Sequence, residues 1–199
     1  MQAHASRTPG KDLERRLNRD YGPGNLFYDD FRSLVKTGIK EGWAASGELD
    51  GPKYRRGKVS QCIHPLLNSP PSPQTEDLNA SFSICSLIGS LNLQISPPSP
   101  TTLYMSITTV FFDSQEVYAG QYHKHPYGEI NCVVPIDPTF ELEGLPVDEN
   151  WQGAGWTSLA PGTHHYPRAR GGKGVALFFL PSGRIAYDAK PGEPQPAGM

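Results

Sequence analysis

The amino-acid sequence predicts a mainly β fold, a sandwich or small barrel of short strands that follows an α-helical appendage. From residue 103 to residue 188, runs of β-branched and aromatic residues alternate with turn signals made of Gly, Pro and Asp, a spacing typical of antiparallel sheets. The 199 residues include 21 glycines and 20 prolines, which favours turns and strands over a helical bundle. The length corresponds to one ordinary domain.

The first zone, residues 1–59, is predicted to form the helical appendage. Gly22-Pro23-Gly24 marks the start of its main helix, and Ser46-Gly47 lies past its end. A shorter helix is expected over residues 12–19. The main helix is amphipathic because apolar residues recur at steps of three and four, namely Leu26, Phe27, Phe31, Leu34, Val35, Ile39 and Trp43. We expect both helices to cap the core.

Residues 60–101 form a Ser/Pro-rich zone that is predicted to be irregular. The string Ser-Pro-Pro-Ser-Pro occurs at residues 69–73 and again at residues 96–100, 27 residues later, and Lys and Arg are absent from Val59 to His123. Our hypothesis is that residues 74–100 or thereabouts are an insertion into the domain. The alternative is a genuine extra hairpin or lid.

The third zone, residues 102–188, is predicted to supply the β-barrel or sandwich. Its turn signals include Asp137-Pro138, Pro161-Gly162 and Gly171-Gly172. The runs between such signals predict strands at residues 103–112, 117–125, 129–136, 140–142, 156–159, 175–180 and 184–187. Residues 189–199, rich in Pro and Gly, are expected to form a flexible tail.

Charge and cysteine content exclude several classes of protein. Eighteen Lys and Arg against 20 Asp and Glu give a net charge of -2, which does not favour a nucleic-acid or anionic-membrane surface. Cys62, Cys85 and Cys132 lack the number and spacing of a disulfide framework or a thiolate zinc site. Because no secretory signal and no membrane-spanning apolar run are visible, we expect a cytoplasmic protein.

Two histidine clusters predict a divalent-metal site. His123 and His125 alternate along a predicted strand, so both project from the same face. Glu129 can return to that face after a turn, and two imidazoles with one carboxylate are suitable metal ligands. The second cluster, His164-His165, can add a fourth ligand. The alternatives are that these histidines are hydrogen-bonded core residues, or that they act as acid and base without a metal.

The spacing of these residues resembles the two cupin motifs: His-x-His-x3-Glu at residues 123–129, and Pro-Gly-x-x-His ending at His165. The resemblance implies a cupin-type, jelly-roll-like double-sheet β-barrel with its site inside. It implies His123, His125, Glu129 and His165 as metal ligands. The second motif usually has one residue between its Pro and Gly, which leaves His164 as an alternative ligand to His165.

A narrower resemblance concerns the 4-hydroxylaminobenzoate lyase family. It is carried by the strings GQYHKHPYGEIN, GWTSLAPGTHHYPRARGG and ALFFLPSGRIAYD, and by segments at residues 41–45 and 54–56. The resemblance implies a carbon–nitrogen lyase that converts 4-hydroxylaminobenzoate to 3,4-dihydroxybenzoate (protocatechuate) and ammonium in nitroaromatic breakdown. Such a reaction needs no external electrons, in keeping with a sequence without a dinucleotide fingerprint.

The same reaction suggests roles for residues around the histidines. His164, Tyr127 and Tyr166 are candidate proton donors, whereas each tyrosine is otherwise an ordinary core or rim aromatic. Arg170, or else Arg168, is a candidate for gripping the substrate carboxylate; the alternative is a solvated loop. Trp156 is a candidate wall against the aromatic ring, or simply part of the core.

Two other functions compete with the lyase. One is a metal-dependent cupin dioxygenase that acts on a small aromatic acid, because imidazole and carboxylate ligands suit several metals. The other is a non-enzymatic or inactive cupin. The expected partner is a small aromatic acid, with neither nucleic acid nor membrane. Since cupin barrels often pair, a homodimer is a further expectation from the resemblance.

Overall fold

The computed structural model describes residues 8–57, 95–100, 102–144 and 150–196. Its helices are α1 (Lys11–Tyr21) and α2 (Leu26–Glu41). Its strands are β1 (Gly47–Asp50), β2 (Tyr54–Arg56), β3 (Ile95–Ser96), β4 (Met105–Ser114), β5 (Tyr118–Ala119), β6 (His123–Lys124), β7 (Glu129–Pro135), β8 (Glu141–Glu143), β9 (Trp151–Gln152), β10 (Gly155–Leu159), β11 (His164–His165), β12 (Arg168–Arg170) and β13 (Gly172–Pro181). The predicted mainly β fold with N-terminal helices is confirmed. Most of the predicted Ser/Pro-rich segment lies outside the described residues, and so does the proposed insertion except for residues 95–100.

Both predicted helices form close to their expected positions. Helix α2 begins after Asn25, whose side chain accepts a hydrogen bond of 2.9 Å from the Phe27 N–H, the usual role of an N-cap residue. It ends at Gly42, whose φ of 79° lies in the left-handed region that glycine adopts without strain. The Gly42 N–H donates to the Ile39 carbonyl and so satisfies one of the last helical acceptors.

The strands form three antiparallel sheets. The largest has the order β1-β2-β4-β13-β7-β10, with β3 also paired to β4. A second sheet has the order β5-β12-β8-β9, and β6 pairs with β11 alone. In the described part of the chain these sheets do not close into a barrel, so the predicted double-sheet arrangement is a cupin-like sandwich.

The break between the two smaller sheets lies near Pro167. Ala119 pairs with Arg168, and His123 pairs with His165. Four residue steps on one strand therefore face three on the other, and this extra residue is the signature of a β-bulge. Pro167 has no N–H to donate to a ladder, although its carbonyl accepts from the Gly120 N–H at 2.9 Å. The bulge and the proline therefore divide one long hairpin into two short paired segments.

The large sheet has a hydrophobic core on each face, because successive side chains of β4, β7 and β13 alternate. The first core packs the sheet against the helices, and its members include Tyr28, Phe31, Val35, Phe111, Cys132 and Leu177. The second core packs the sheet against the four-stranded sheet, and its members include Val110, Phe112, Phe140, Leu142, Ala169 and Phe178. Burial of both faces explains the nearly continuous apolar runs in these strands.

Helix α1 covers the edge strand β10 through side-chain hydrogen bonds. Asn18 accepts from the Trp156 N–H at 2.9 Å and donates to the Trp156 carbonyl at 2.7 Å. The Glu14 carboxylate accepts from the Ser158 N–H at 2.9 Å. These bonds satisfy backbone groups that an edge strand otherwise leaves unpaired. The helices are therefore a structural part of the sandwich as well as a cap on its core.

The strand prediction was right for the long strands and wrong at two places. Residues 117–125 form two short strands, β5 and β6, because of the bulge described above. Residues 184–187 form no strand, and only a single bridge joins Ala186 to Lys124. Six short strands, β1, β2, β3, β9, β11 and β12, had no sequence prediction. No helix among the described residues is long and apolar enough to cross a membrane.

We predict that Tyr28→Phe destabilises the fold by about 1–3 kcal/mol, the usual cost of an unsatisfied buried polar group. Tyr28 is fully buried, and its hydroxyl donates to the Val133 carbonyl and accepts from the Gly155 N–H. Its loss leaves two backbone groups of β7 and β10 without their partner. Urea unfolding measures the change, with exposed Tyr104→Phe as the control. Equal unfolding free energies for the two variants would contradict the assigned bridge.

Candidate active site

Three buried histidines meet where β6 pairs with β11. The register places His165 directly opposite His123, and cross-strand partners are near neighbours. The His125 N–H donates to the Thr163 carbonyl at 2.8 Å, which brings His125 to the same place. One potential ligand atom from each imidazole lies within 4.8 Å of the other two, and the Nε2 atoms of His125 and His165 are 3.1 Å apart. These residues are therefore close enough to hold a metal ion.

Glu129, the fourth predicted ligand, lies beside this cluster at the start of β7. Its Oε2 is 3.5 Å from Nε2 of His125, and both side chains are almost completely buried. Asn131 donates from Nδ2 to Oε2 of Glu129 and to Oγ1 of Thr157, each at 3.0 Å. Asn131 therefore orients the Glu129 carboxyl group, and Thr157 in turn holds the Asn131 amide.

Hydrogen bonding determines which ring nitrogen of His123 carries the proton. Its Nδ1 lies 2.7 Å from the Gln121 carbonyl oxygen, which is only an acceptor. We therefore assign the proton to Nδ1, and Nε2 carries the lone pair. The bulge before β6 provides this carbonyl, so the local strand irregularity also orients the imidazole.

Burial keeps the cluster uncharged in the absence of a metal. Desolvation lowers the pKa of His125 to about 2 and that of His165 to about 3, and it also lowers the pKa of His123. Desolvation raises the pKa of Glu129 to about 8, against the opposing effect of the Asn131 hydrogen bond. The imidazoles are thus neutral near pH 7, the form in which histidine binds metals.

His164 points away from this cluster. His164 and His165 are neighbours on β11, so their side chains project from opposite faces. Nδ1 of His164 lies 2.6 Å from the Tyr122 hydroxyl, and Nε2 lies 3.2 Å from the Pro194 carbonyl. The Gln195 side chain also donates to the His164 carbonyl at 2.7 Å. Of the two alternative ligands in the sequence, the structure brings only His165 to the cluster.

The two predicted tyrosine donors lie at the surface. Tyr127 is 52% exposed and Tyr166 is 41% exposed. The Tyr166 ring packs edge-on against Tyr122, with 4.7 Å between ring centroids. Neither tyrosine lines the cavity described below. Their proposed role in proton transfer, like that of His164, stays a prediction that this arrangement does not favour.

The predicted substrate-binding arginines lie on the outer face of β12. Ala169 between them points into the second core, so Arg168 and Arg170 point the other way. Arg168 forms an ion pair with buried Glu143, and Arg170 pairs with Glu141 at 2.7 Å. Both arginines are thus engaged by glutamates on this outer face, although the charge of Arg168 is near enough to His165 to contribute, after desolvation, to the lowered pKa of that histidine.

Trp156 faces the helices from β10. Its indole Nε1–H donates to the Tyr21 carbonyl at 2.8 Å, and its ring belongs to the core between the large sheet and α2. This position satisfies the polar atom of a buried tryptophan. The structure thus places Trp156 on the face of the sheet opposite Asn131, and it does not line the cavity described below.

A cavity of about 420 Å³ opens beside His123 and Glu129, between the inner face of the large sheet and the smaller sheets. A cavity of this size is sufficient for a small aromatic ligand. The sequence alone assigned no role to most residues that line this cavity. Strand β2, for example, is only three residues long and has no periodic pattern. The polar and aromatic residues of the lining include Tyr54, Arg56, Tyr118, Gln121, Phe178 and Tyr187.

A sandwich of antiparallel sheets with a buried histidine cluster on its inner side defines a cupin-like protein. Its sequence matches the family model described as PnbB, 4-hydroxylaminobenzoate lyase, over residues 1–68 and 90–187. The chain belongs to the 4-hydroxylaminobenzoate lyase family. The match leaves residues 69–89 outside it, within the zone where the insertion stays a prediction.

Two relatives carry the same name as the family. The chain is 44% identical to the 4-hydroxylaminobenzoate lyase of Nocardioides sp. (strain LMS-CY) over 186 residues, which cover 94% of this chain and 87% of that protein. It is 38% identical to the 4-hydroxylaminobenzoate lyase of Pseudomonas putida over 190 residues, which cover 92% of this chain and 86% of that protein. Both comparisons extend over nearly the whole chain.

The buried Glu129 carboxyl group predicts a pH-dependent stability in metal-free protein. Because its folded pKa is about 8 against an ordinary 4.5, the unfolded chain loses this proton first, and stability falls as the pH rises from 4.5 to 8. We expect Glu129→Gln to remove this loss of stability at high pH. Relative to the unchanged protein, its free energy of unfolding should rise on the order of 1–4 kcal/mol between pH 4.5 and pH 8.

Urea unfolding in the presence of a chelator measures this gain at both pH values. The matched control is Glu48→Gln, which changes an exposed glutamate of β1. The opposite outcome is that Glu129→Gln and the unchanged protein differ in unfolding free energy by the same amount at both pH values. That result would contradict a neutral buried carboxyl group at Glu129.

Proposed function

We propose that this protein is a lyase that converts 4-hydroxylaminobenzoate and water to 3,4-dihydroxybenzoate and ammonia, released as ammonium. The observation that carries the proposal is the buried cluster of His123, His125 and His165 beside a cavity of about 420 Å³. The name shared by both relatives supports the same substrate. The reaction would serve the breakdown of nitroaromatic compounds.

The proposed reaction is balanced without an oxidant or reductant. The N–O and C–N bonds of the substrate break, and the ring acquires two hydroxyl oxygens. The nitrogen is reduced to the level of ammonia while the ring is oxidised by two electrons. Protons must nevertheless be moved between oxygen, nitrogen and ring carbon, which is the task of acid–base groups. A buried site with neutral imidazoles offers such groups away from bulk water.

We infer a divalent metal ion as cofactor, because the donor set suits one. His123, His125 and His165 would hold it, with Glu129 as the fourth candidate ligand. All three imidazoles have lowered pKa values, so no proton needs to leave them on binding. A bound ion would supply Lewis-acid polarisation of an oxygen atom. Without an ion, the same imidazoles remain candidate acid–base groups.

The cavity provides the binding functions that the proposed substrate needs. Tyr54, Tyr118 and Phe178 present aromatic rings to a benzene ring. Gln121 adds an amide at the same wall as His123. Burial of the histidines excludes water from their surroundings and strengthens their electrostatic contacts with a bound substrate.

Anaerobic incubation with 4-hydroxylaminobenzoate tests the proposed reaction. We expect 3,4-dihydroxybenzoate and ammonium in equal amounts, measured by chromatography and an ammonium assay. Equal yields are expected because each substrate molecule contains one ring and one nitrogen. Absence of both products, from folded protein supplied with divalent metals, would contradict the lyase. Product that appears only when oxygen is consumed would instead indicate the dioxygenase alternative.

Metal binding is tested by equilibrium dialysis of chelator-treated protein against zinc or cobalt ions. We expect His123→Ala and His165→Ala each to weaken binding by at least about 10–100-fold, the loss typical for residues that only support a metal site. His164→Ala is the matched control, since this neighbouring side chain points away from the cluster. Metal affinity that is equal in all four proteins would contradict a metal site at the cluster.

A further inference from the structure

The side chains of β2 divide between the two faces of the large sheet. Arg55 points to the helix side, where its guanidinium lies 4.1 Å from the centre of the Phe111 ring. Tyr54 and Arg56 therefore point to the opposite, inner side. Their cross-strand partners on β4 are Phe112 and Val110, both members of the core between the sheets. Arg56 thus belongs to the wall of the cavity.

Arg56 is the one Lys or Arg among the described residues that line this cavity. No carboxylate of the described residues forms an ion pair with it, whereas Arg168 and Arg170 are paired with Glu143 and Glu141. Its guanidinium therefore keeps its planar fork of donors available for a ligand.

Two acidic residues share the cavity with Arg56. Asp50 accepts a hydrogen bond of 3.2 Å from the Tyr118 hydroxyl. Glu129 is held by Asn131 beside the histidines, as described above. Neither carboxyl group lies within ion-pair distance of Arg56. Arg56 is consequently the one Lys or Arg side chain of the described lining that can pair with an anionic ligand group.

The cavity places Arg56 and the histidine cluster apart, with aromatic surface between them. Strands β4 and β13 separate β2 from β7, which corresponds to about 14 Å between the axes of β2 and β7. Long side chains from both strands reach into this space, and Phe178 of β13 lies between them. A flat aromatic acid fits this arrangement with its carboxylate at Arg56 and its opposite end toward His123 and Glu129.

We propose that Arg56 recognises the carboxylate of an aromatic acid substrate and so determines specificity for benzoates over uncharged aromatic compounds. The proposal rests on the proposed function for the identity of the substrate. A guanidinium binds a carboxylate through two parallel hydrogen bonds, which fixes the orientation of the ring as well as the affinity. Arg56 thereby aligns the reacting nitrogen substituent with the histidine end of the cavity.

Kinetics with a matched pair of substrates test this assignment. We expect Arg56→Gln to lower kcat/KM for 4-hydroxylaminobenzoate by about 10–100-fold, the usual effect of losing a hydrogen bond to a charged group. The same variant is expected to act on phenylhydroxylamine, which lacks the carboxylate, as the unchanged protein does. Arg55→Gln on the opposite face of β2 is the control, and Arg56→Lys, which keeps the charge without the fork, is expected to fall between.

Two kinetic results would overturn the proposal. One is an equal loss with both substrates in Arg56→Gln and Arg56→Lys proteins whose thermal unfolding is unchanged. The other is a loss specific to 4-hydroxylaminobenzoate in Arg170→Gln and not in Arg56→Gln. Either result would transfer carboxylate recognition away from Arg56.

Calorimetric binding of 4-aminobenzoate, an unreactive analogue, separates this proposal from the lyase activity. The unchanged protein could convert no substrate and still bind 4-aminobenzoate at least 10-fold more tightly than Arg56→Gln does. That result would contradict the proposed lyase activity and support the role of Arg56. Equal binding by the two proteins, or no binding by either, overturns the role of Arg56 whatever the outcome for the lyase.

Discussion

The antiparallel pairing of β6 with β11 is the constraint on which the candidate site depends. Each strand has only two residues, yet their register places His123 opposite His165, and the adjoining Thr163 carbonyl fixes His125. Moving either strand by one residue would replace an inward histidine by its outward neighbour. The bulge and Pro167 end this pairing on one side, which separates the histidine pair from the four-stranded sheet.

The two faces of the large sheet have different roles in supporting the site. The face toward α2 buries an apolar core, and α1 satisfies the edge of β10 with Asn18 and Glu14. The other face holds Asn131, which donates to the Glu129 carboxyl group, and Thr157, which accepts from the same amide. Strand β10 carries both Thr157 and the hydrogen bonds to α1, and Tyr28 of α2 bonds to β7 and β10, so the helical layer is joined to the strands that hold Glu129 and Asn131.

The sequence predicted the histidine cluster well, because strand alternation and the spacing of the two cupin-like motifs both depend on local geometry. It could not decide between His164 and His165, since that choice depends on the register with β6. Arg170 and Arg168 were candidates because a planar guanidinium can grip a carboxylate, yet alternation about Ala169 turns them outward. Arg56 could not be found because pairing across β4 and β13 brings it to the cavity from a distant, unpredicted strand.

The most direct test of the account compares turnover of 4-hydroxylaminobenzoate by His165→Ala and His164→Ala proteins. These neighbours share one strand and one degree of burial, but they point to opposite faces of it. We expect the loss of kcat/KM to be at least about 100-fold greater for His165→Ala, the scale on which a positioned catalytic group contributes. Equal losses, or a greater loss for His164→Ala, would contradict the assignment of the buried cluster as the active site.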